Sequence, residues 1–381
     1  MSTGLTGRIV TPDAIVDGRL VMSGGRIAAI EPAPVPSDAP WLVPGFVDMH
    51  VHGGGGHTFT TGRAPAARAA AAFHLSHGTT TLLASLVSSP YDAMLAATKA
   101  YAPLVASGVL AGVHYEGPYL AESRCGAQNP AFLRPPALTE LASLLEVGAG
   151  AVRMVTLAPE LDGALDAIRL LVAAGVVVAI GHTDADYRQV RTAIDAGATV
   201  GTHVFNGMAP PHHRAPGPAY ALLGSPAVTC EFVADGAHLA DETLEFAFDV
   251  VGAGRAALVT DAIAAAGMPD GSYELGGQAV VVANGIARLA ARPGSTIASS
   301  TIAGSTLTMD AAFRRAFAVT GSIVFAAHAA ATTPARALGL TDRGSLAVGQ
   351  RADVVTLGPD LAVEAVRRGG RTVRRPATAL A

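Results

Sequence analysis

The chain has 381 residues, of which 50% are hydrophobic and 15% are charged, and its formal net charge is −4. This length and composition exclude intrinsic disorder over most of the chain and allow one large α/β domain with a smaller one attached. Lys99 is the single lysine, so no basic stripe is present to follow a nucleic-acid backbone.

Cysteine usage and hydropathy predict where the protein works. Cys125 and Cys230 are the two cysteines and make no disulfide framework, which favours a reducing, cytoplasmic location. The N-terminus lacks the apolar run of a signal peptide. No stretch of about 18 residues is continuously apolar, so we expect no membrane partner.

Short strands separated by glycine turns are predicted at both ends of the chain. Asp17-Gly18 and Gly24-Gly25 mark the N-terminal turns, because such pairs supply the positive φ of tight turns. Neither end can build a core alone. We therefore predict one small β-sandwich domain formed by both chain ends, residues 1–43 and 346–381, with residues 44–345 inserted between them.

The middle of the chain alternates short apolar runs with alanine-rich helical segments. Eight candidate strands are Val43–Asp48, Thr80–Leu86, Gly112–Glu116, Val152–Leu157, Val176–Gly181, Thr199–His203, Val228–Val233 and Ala257–Asp261. Six helical segments lie at 64–78, 90–108, 138–148, 161–175, 186–197 and 241–254. This repeat predicts an α/β fold, a (β/α)8 TIM-like barrel. A doubly wound sheet is the alternative, but no Gly-x-Gly-x-x-Gly follows a strand.

Possible metal ligands and acid–base groups stand at the carboxyl ends of these strands, where barrel enzymes place their functional residues. They are His50, His52, Glu116, His182, His203, His238 and Asp261. Residues i and i+2 of a strand point the same way, so His50 and His52 could reach one cation together. A carboxylate can bridge two ions, and Asp261 could act as a base. A single histidine in a strand is more often a hydrogen-bonded core residue than a metal ligand. Several candidate ligands at the carboxyl ends of neighbouring strands, however, predict a metal site.

Longer motifs at these positions resemble those of the N-acetylglucosamine-6-phosphate deacetylase family in the amidohydrolase superfamily. In chain order they are PGFVDMHVHGGGG, HYEGPYL, GHTDA, THVFNGM, DGAHL and LVTDAIAAAGMPDG. The similarity extends from Gly18 to about Leu357. The first motif is typical of the whole superfamily, whereas EGPYL, THVFNGM and the last motif are specific to the deacetylases.

The resemblance implies hydrolysis of the acetamide of N-acetylglucosamine 6-phosphate, in amino-sugar catabolism or cell-wall recycling. It implies one or two divalent metal ions per subunit, with zinc expected and iron, manganese or cobalt as alternatives, and a homodimer whose partner subunit completes the phosphate contacts. The implied metal ligands are Glu116, His182 and His203, with His50, His52 and Asp261 at a second ion. The implied catalytic residues are Asp261 and His238. The implied substrate contacts are Ala127, Gln128, Asn206, Gly207, Arg214, His238, Ile302, Ala303 and Gly304.

Two departures from the family pattern leave the exact substrate open. Gln128 stands where the family commonly has a histidine, and Ala215 stands where it has a glutamate. A deacetylase of another N-acetylated amino sugar and a cyclic-amide hydrolase are therefore alternatives. A catalytically inactive barrel that serves as a scaffold is a third interpretation. Such barrels usually lose the His-x-His pair or the aspartate of strand eight, and this sequence keeps both.

Overall fold

The computed structural model describes residues 3–290 and 301–373. Its strands, in chain order, are β1 (Thr3–Val10), β2 (Ile15–Ser23), β3 (Arg26–Pro32), β4 (Trp41–Pro44), β5 (Phe46–Asp48), β6 (Gly53–Gly54), β7 (His57–Thr58), β8 (Thr79–Val87), β9 (Gly112–Glu116), β10 (Val152–Leu157), β11 (Val177–Ile180), β12 (Val200–Gly201), β13 (Thr229–Phe232), β14 (Ala256–Leu258), β15 (Gly271–Leu275), β16 (Gln278–Ala283), β17 (Ile286–Leu289), β18 (Val354–Leu357), β19 (Val363–Arg368) and β20 (Arg371–Val373). The helices are α1 (Ala64–Ser76), α2 (Tyr91–Ala106), α3 (Leu138–Gly148), α4 (Ala164–Ala173), α5 (Tyr187–Asp195), α6 (Gly217–Leu223), α7 (Asp241–Val251), α8 (Met309–Thr320), α9 (Ile323–Ala327) and α10 (Thr333–Ala337). No helix in the described residues is long and apolar enough to cross a membrane.

Eight parallel strands form the central sheet, in the order β5, β8, β9, β10, β11, β12, β13, β14. This order confirms the predicted (β/α)8 barrel. Backbone bonds beyond the ends of β5 and β14 draw the first and last strands together: Asp261 N donates to His50 O at 2.9 Å, and His52 N donates to Ala262 O at 2.8 Å. The carboxyl ends of strands one and eight are therefore neighbours.

The barrel strands are covered on both faces. Every residue of β8 is buried, as expected for a parallel strand with side chains inside the barrel and helices outside. On α1, Ala67, Ala70, Ala71 and His74 are buried, and their spacing of three and four residues places them on one helical face. Small side chains on this face let the helix lie close to the sheet.

The two chain ends meet in one seven-stranded sheet, in the order β20, β19, β18, β4, β1, β2, β3. This arrangement confirms a β unit built from both ends of the chain. A separate apolar cluster supports it, which includes Ile9, Leu20 and Leu42 from the N-terminal part and Leu346 and Val354 from the C-terminal part. The domain limits at residues 43/44 and 345/346 stay a prediction.

The first predicted barrel strand, Val43–Asp48, is in fact two strands. β4 pairs with β18 in the seven-stranded sheet, whereas β5 pairs with β8 in the barrel. Gly45 separates them, and a Cβ on it would lie 2.4 Å from the Thr80 hydroxyl and 2.9 Å from the Asp353 Cβ. Only a glycine therefore lets the chain pass between the two sheets at this point.

A three-stranded antiparallel sheet of β15, β16 and β17 follows the last barrel strand and was not predicted. Its signals are present in the sequence. Residues of β16 alternate between buried and exposed, and Asn284-Gly285, with φ of 52° and 73°, forms the hairpin turn to β17. Leu275 at the end of β15 reaches the wall of the cavity described below.

Two leucines on α3 test the packing of the helical layer. Leu144 is fully buried, whereas Leu138 is 42% exposed. We expect Leu144→Ala to lower the free energy of unfolding by about 2–5 kcal/mol, because it leaves a cavity in the core. Leu138→Ala should change it by less than about 0.5 kcal/mol. Urea denaturation followed by circular dichroism measures both, and equal losses would contradict the packing of α3.

Candidate metal centre and active site

Six buried side chains from five barrel strands meet at the mouth of the barrel. They form two groups. Within each group, the nitrogen and oxygen atoms that could bind a metal ion lie within 4.8 Å of one another. The groups are His50, His52 and Asp261, and Glu116, His182 and His203. All six were predicted from the sequence as metal ligands, and the structure brings them together.

Glu116 joins the two groups through its two carboxylate oxygens. Its Oε1 lies 3.0 Å from Nε2 of His182 and 3.0 Å from Nε2 of His203. Its Oε2 lies 3.2 Å from Nε2 of His52. Glu116 is 3% exposed, so one shielded carboxylate faces both groups, as a residue shared by two cations would.

The four histidines present the same ring nitrogen to the centre. Each Nδ1 faces an oxygen that accepts its proton: Ser85 O for His52 at 3.2 Å, Glu231 Oε2 for His50 at 3.1 Å, Arg124 O for His182 at 2.8 Å and Asn206 O for His203 at 3.1 Å. A proton on Nδ1 leaves the lone pair on Nε2, and four such lone pairs converge. Neutral imidazoles and carboxylates are the donors that zinc and similar divalent ions bind, so the residues fit a metal centre.

Three of the six residues adopt a backbone conformation that is uncommon outside glycine. His182, His203 and Asp261 have φ of 47°, 25° and 48°. Such positions cost on the order of 1–3 kcal/mol each and concentrate at functional sites. His182 and His203 each lie two residues past the end of a barrel strand, and Asp261 lies three residues past one, so these turns place the three side chains at the mouth of the barrel.

The electrostatics of the centre favour positive charge. Burial lowers the pKa of His52, but Asp261 and Glu116 outweigh burial and raise this pKa to about 9. Burial likewise raises the pKa of Glu116, but His50 and His182 hold it well below its usual range. A cation, whether a proton or a metal ion, is therefore stabilised between these groups.

Asp48 lies one layer below the centre and is fully buried. Its carboxylate accepts a 2.6 Å hydrogen bond from the Thr260 hydroxyl and a 3.3 Å bond from His50 N. Burial raises the pKa of Asp48 to about 7, although the bonds from Thr260 and His50 lower it. Asp48 therefore ties the His50 segment to the end of strand eight without joining either metal group.

A cavity of about 250 Å³ opens over the two groups. Of the predicted substrate contacts, those that line it are Ala127, Gln128, Asn206, Gly207, His238, Ile302 and Gly304. Ala303 is buried behind the wall in the cluster that contains Ile263 and Leu275. Arg214 lies outside the cavity, exposed, with its Nη1 2.6 Å from His213 Nε2.

Gln128 contacts the metal centre directly. Ser88 N donates to its Oε1 at 2.7 Å, and its Nε2 donates to Glu116 Oε2 at 2.6 Å. A backbone N–H can only donate and a carboxylate can only accept, so the orientation of the amide is settled. Gln128 therefore holds the oxygen of Glu116 that faces His52. Its contact with a sugar stays a prediction.

Two acids hold histidines in place, a role that the sequence did not predict for either of them. Asp235 accepts hydrogen bonds from His238 Nδ1 and from His238 N, at 2.7 and 2.8 Å. Glu231 is fully buried on β13 and meets His50. An acid inside the otherwise apolar run VTCEFV was the available signal for Glu231, since acids are almost never fully buried unless paired.

His114 is a hydrogen-bonded core residue beside the centre. Its Nδ1 lies 2.9 Å from the Ser85 hydroxyl and its Nε2 lies 2.8 Å from the Thr156 hydroxyl. Both ring nitrogens are thereby occupied, and the ring packs edge-on against His50 with the centroids 4.7 Å apart. His114 therefore supports the His50 ring and belongs to neither metal group.

The Asp235–His238 pair makes a testable electrostatic prediction. Burial lowers the pKa of His238, but Asp235 outweighs burial and raises it. Burial raises the pKa of Asp235, but His238 lowers it. The pair therefore stabilises the fold between these two pKa values, and its contribution is lost as pH rises through the pKa of folded His238 or falls through that of folded Asp235.

We expect Asp235→Asn to lower the pKa of His238, because the amide keeps an acceptor but loses the charge. Histidine side-chain NMR across pH measures this pKa, with the signal assigned by its loss in His238→Gln. Asp184→Asn is the control, because the exposed Asp184 pairs with Arg124 instead. An unchanged pKa of His238 in Asp235→Asn would contradict the interpretation of the pair.

Comparisons with known proteins agree with this geometry. The profile of the Amidohydrolase family matches residues 41–373. N-acetylgalactosamine-6-phosphate deacetylase of Escherichia coli O157:H7 is 38% identical over 94% of this chain and 96% of its own length. N-acetylglucosamine-6-phosphate deacetylase of Vibrio furnissii is 35% identical over 98% and 94%.

A solved structure is similar over almost the whole chain. It is a variant of N-acetyl-D-glucosamine-6-phosphate deacetylase from Mycobacterium smegmatis in complex with N-acetyl-D-glucosamine-6-phosphate. It shares 44% sequence identity, a TM-score of 0.92 and 98% coverage of both chains. The resemblance inferred from the motifs is thereby confirmed, and a divalent metal is implied by the superfamily. The chain belongs to the amidohydrolase family.

Proposed function

We propose that the protein is a metal-dependent deacetylase that hydrolyses N-acetylglucosamine 6-phosphate to glucosamine 6-phosphate and acetate. The observation that carries this proposal is the pair of buried His/carboxylate groups, joined by Glu116, directly beneath a cavity of about 250 Å³. The similar proteins supply the substrate class, since they are named as deacetylases of N-acetylated hexosamine 6-phosphates.

Charge favours two divalent ions at this centre. Three carboxylates contact its imidazoles, namely Glu116, Glu231 and Asp261, and all three are buried. Burying unpaired charges costs several kcal/mol per ion. Two divalent cations offset all three carboxylates while every imidazole stays neutral and free to bind metal, whereas a single divalent cation leaves one carboxylate to be offset by a protonated imidazole, which cannot bind a metal ion. Zinc fits the nitrogen and oxygen donors, with iron, manganese or cobalt as alternatives.

A bound divalent ion lowers the pKa of a water toward neutrality and polarises the amide carbonyl. The protein then has to take a proton from the attacking water. Asp261 can do so, because it lines the cavity and its Oδ1 lies 3.2 Å from His52 Nε2. Burial raises the pKa of Asp261, but His50 and His52 outweigh burial and lower it. The carboxylate is therefore ionised and can accept a proton. The same proton then passes to the leaving amine, which would otherwise depart as a poor anion.

His238 is suited to the carbonyl oxygen of the substrate. Its Nδ1 is bonded to Asp235, which leaves Nε2 as the nitrogen for the cavity. Because Asp235 raises its pKa, the ring can donate from a charged form. A charged donor stabilises the negative charge that develops on the oxygen during attack.

Two sets of residues could bind the phosphate group of the substrate. Asn206 and the backbone of Gly207 line the cavity, and a Cβ on Gly207 would lie 2.9 Å from His182 Nδ1. Arg214 supplies a planar guanidinium that suits phosphate. It lies outside the cavity of its own chain, so we propose that it reaches the phosphate of the other subunit in a homodimer.

An exposed apolar groove supports the proposed dimer, and its lining includes Pro211 and Tyr220, which precede and follow Arg214 in the sequence. Tyr220, Phe246 and Val250 line it and are 49%, 56% and 41% exposed. Clusters of exposed large apolar side chains commonly mark protein–protein contacts. A second copy packed here would cover the groove. The cytoplasmic location stays a prediction.

The galactosamine epimer is the second candidate substrate. It is favoured by the 38% identity to the Escherichia coli N-acetylgalactosamine-6-phosphate deacetylase. Acetate release from both 6-phosphates and from unphosphorylated N-acetylglucosamine separates the candidates. We expect kcat/KM to be highest for N-acetylglucosamine 6-phosphate. A higher value for the galactosamine compound would move the assignment to that sugar. No release from any of them would favour the cyclic-amide hydrolase if the purified protein carries stoichiometric metal, and the scaffold if it carries none.

Asp261→Asn tests the proton transfer. Asparagine is nearly isosteric but cannot accept a proton, so kcat should fall about 10²–10⁴-fold. The folded fraction should match wild type by circular dichroism. A variant that keeps more than about a tenth of the wild-type kcat would place the base elsewhere.

Arg214→Ala tests the phosphate contact. Losing a charge-assisted bidentate bond should lower kcat/KM for the 6-phosphate by about 10- to 100-fold. Slow turnover of the unphosphorylated sugar should hardly change. Arg169→Ala is the control, because Arg169 is an exposed arginine that pairs with Asp166. Equal losses on both substrates would show that Arg214 supports its loop and does not bind phosphate.

A further inference from the structure

Glu231 is a buried acid that neither metal group contains and that does not line the cavity. It is fully buried on β13, beneath the centre. One oxygen, Oε2, lies 3.1 Å from His50 Nδ1 and accepts a 3.3 Å hydrogen bond from His203 N. The other oxygen, Oε1, has no hydrogen-bond partner within the described residues.

We propose that Glu231 is a positioning residue that holds His50 for the second metal ion, an inference that rests on the proposed two-ion centre. The carboxylate accepts the proton of Nδ1, so the lone pair of His50 lies on Nε2. That atom is 3.2 Å from His52 Nε2 and 3.5 Å from Asp261 Oδ1. Without Glu231 the ring could rotate or place its proton on Nε2, and the group would lose a donor.

The acid does more than orient the ring. The other three histidines of the centre are oriented by neutral carbonyl oxygens of Ser85, Arg124 and Asn206. A neutral acceptor would orient His50 equally well at a lower desolvation penalty. A carboxylate behind an imidazole also makes it a stronger metal ligand. Glu231 therefore strengthens the group of His50, His52 and Asp261 selectively.

The bond from His203 N does not change this assignment. It is the longer of the two bonds, and it fixes the backbone of His203 and not its ring. The ring of His203 is oriented separately by Asn206 O. Loss of the charge on Glu231 should therefore lower the affinity for the ion at His50 far more than the affinity for the ion at His182 and His203.

Glu231→Gln tests the charge of Glu231 most directly. The amide oxygen can replace Oε2 and keep both hydrogen bonds, while the amide nitrogen occupies the unpartnered position of Oε1. This change removes the charge and retains the shape. Glu231→Leu removes both. Asp310→Asn is the matched control, because Asp310 is a buried acid that faces a histidine, His77, at 3.2 Å on the outer helices.

The measurement is chelator competition on the zinc-loaded protein, which gives an apparent dissociation constant for each ion. In Glu231→Gln we expect the constant of one ion to rise about 10- to 100-fold and that of the other to stay within a factor of about three. Glu231→Leu should retain one ion only. Asp310→Asn should leave both constants unchanged. Wild-type constants in both Glu231 variants, equal weakening of both ions, or a wild type that holds one ion would each overturn the proposal.

A second measurement does not depend on the Glu231 variants. Nitrogen NMR of histidine side chains in the metal-loaded wild type should show the His50 proton on Nδ1, with the signal assigned by its loss in His50→Gln. A proton on Nε2 would overturn the proposal. Neither measurement depends on turnover, so a protein that passes both and cleaves no amino sugar would contradict the proposed function alone.

Discussion

The burial of carboxylates at the mouth of the barrel is the constraint on which the rest of the site depends. Glu116, Glu231 and Asp261 are at most 7% exposed. Their side chains contact histidine rings, the Gln128 amide and backbone N–H groups, and no arginine or lysine in the described parts of the chain bonds to them. Acids in such surroundings are stable only beside cations, which explains why the imidazoles and carboxylates converge as they do.

The barrel meets this constraint through its strand ends. Parallel strands bring distant residues to one edge, and the turns after them are bent into left-handed backbone at His182, His203 and Asp261. Each ring is then locked by an acceptor at Nδ1. The strained backbone and the fixed rings thus have the same effect: they keep the buried carboxylates close together. A flexible strand end would let these like charges separate.

Much of this arrangement could be predicted from the sequence, because it depends on local pattern. The eight strands, the candidate ligands at their ends and the pairing of the chain ends follow from residue spacing and hydrophobic pattern. The break at Gly45 could not be predicted, since it depends on contacts with Thr80 and Asp353, which are far away in the sequence. The role of Glu231 depends on its contact with the His50 ring, and that of Gln128 on its contact with the Glu116 carboxylate; no motif in the sequence specifies either contact. The proposed contact of Arg214 with phosphate depends on a second subunit, which the sequence of one chain does not show.

The central claim is that the buried acids and imidazoles hold two divalent ions, one in each group. Anomalous X-ray scattering from crystals of the purified protein, combined with elemental analysis, tests this claim most directly. The expected result is two anomalous peaks per chain, one among His50, His52 and Asp261 and one among His182, His203 and Glu116, with two equivalents of metal. A fully folded protein with no stoichiometric metal, or with metal bound outside both groups, would contradict it.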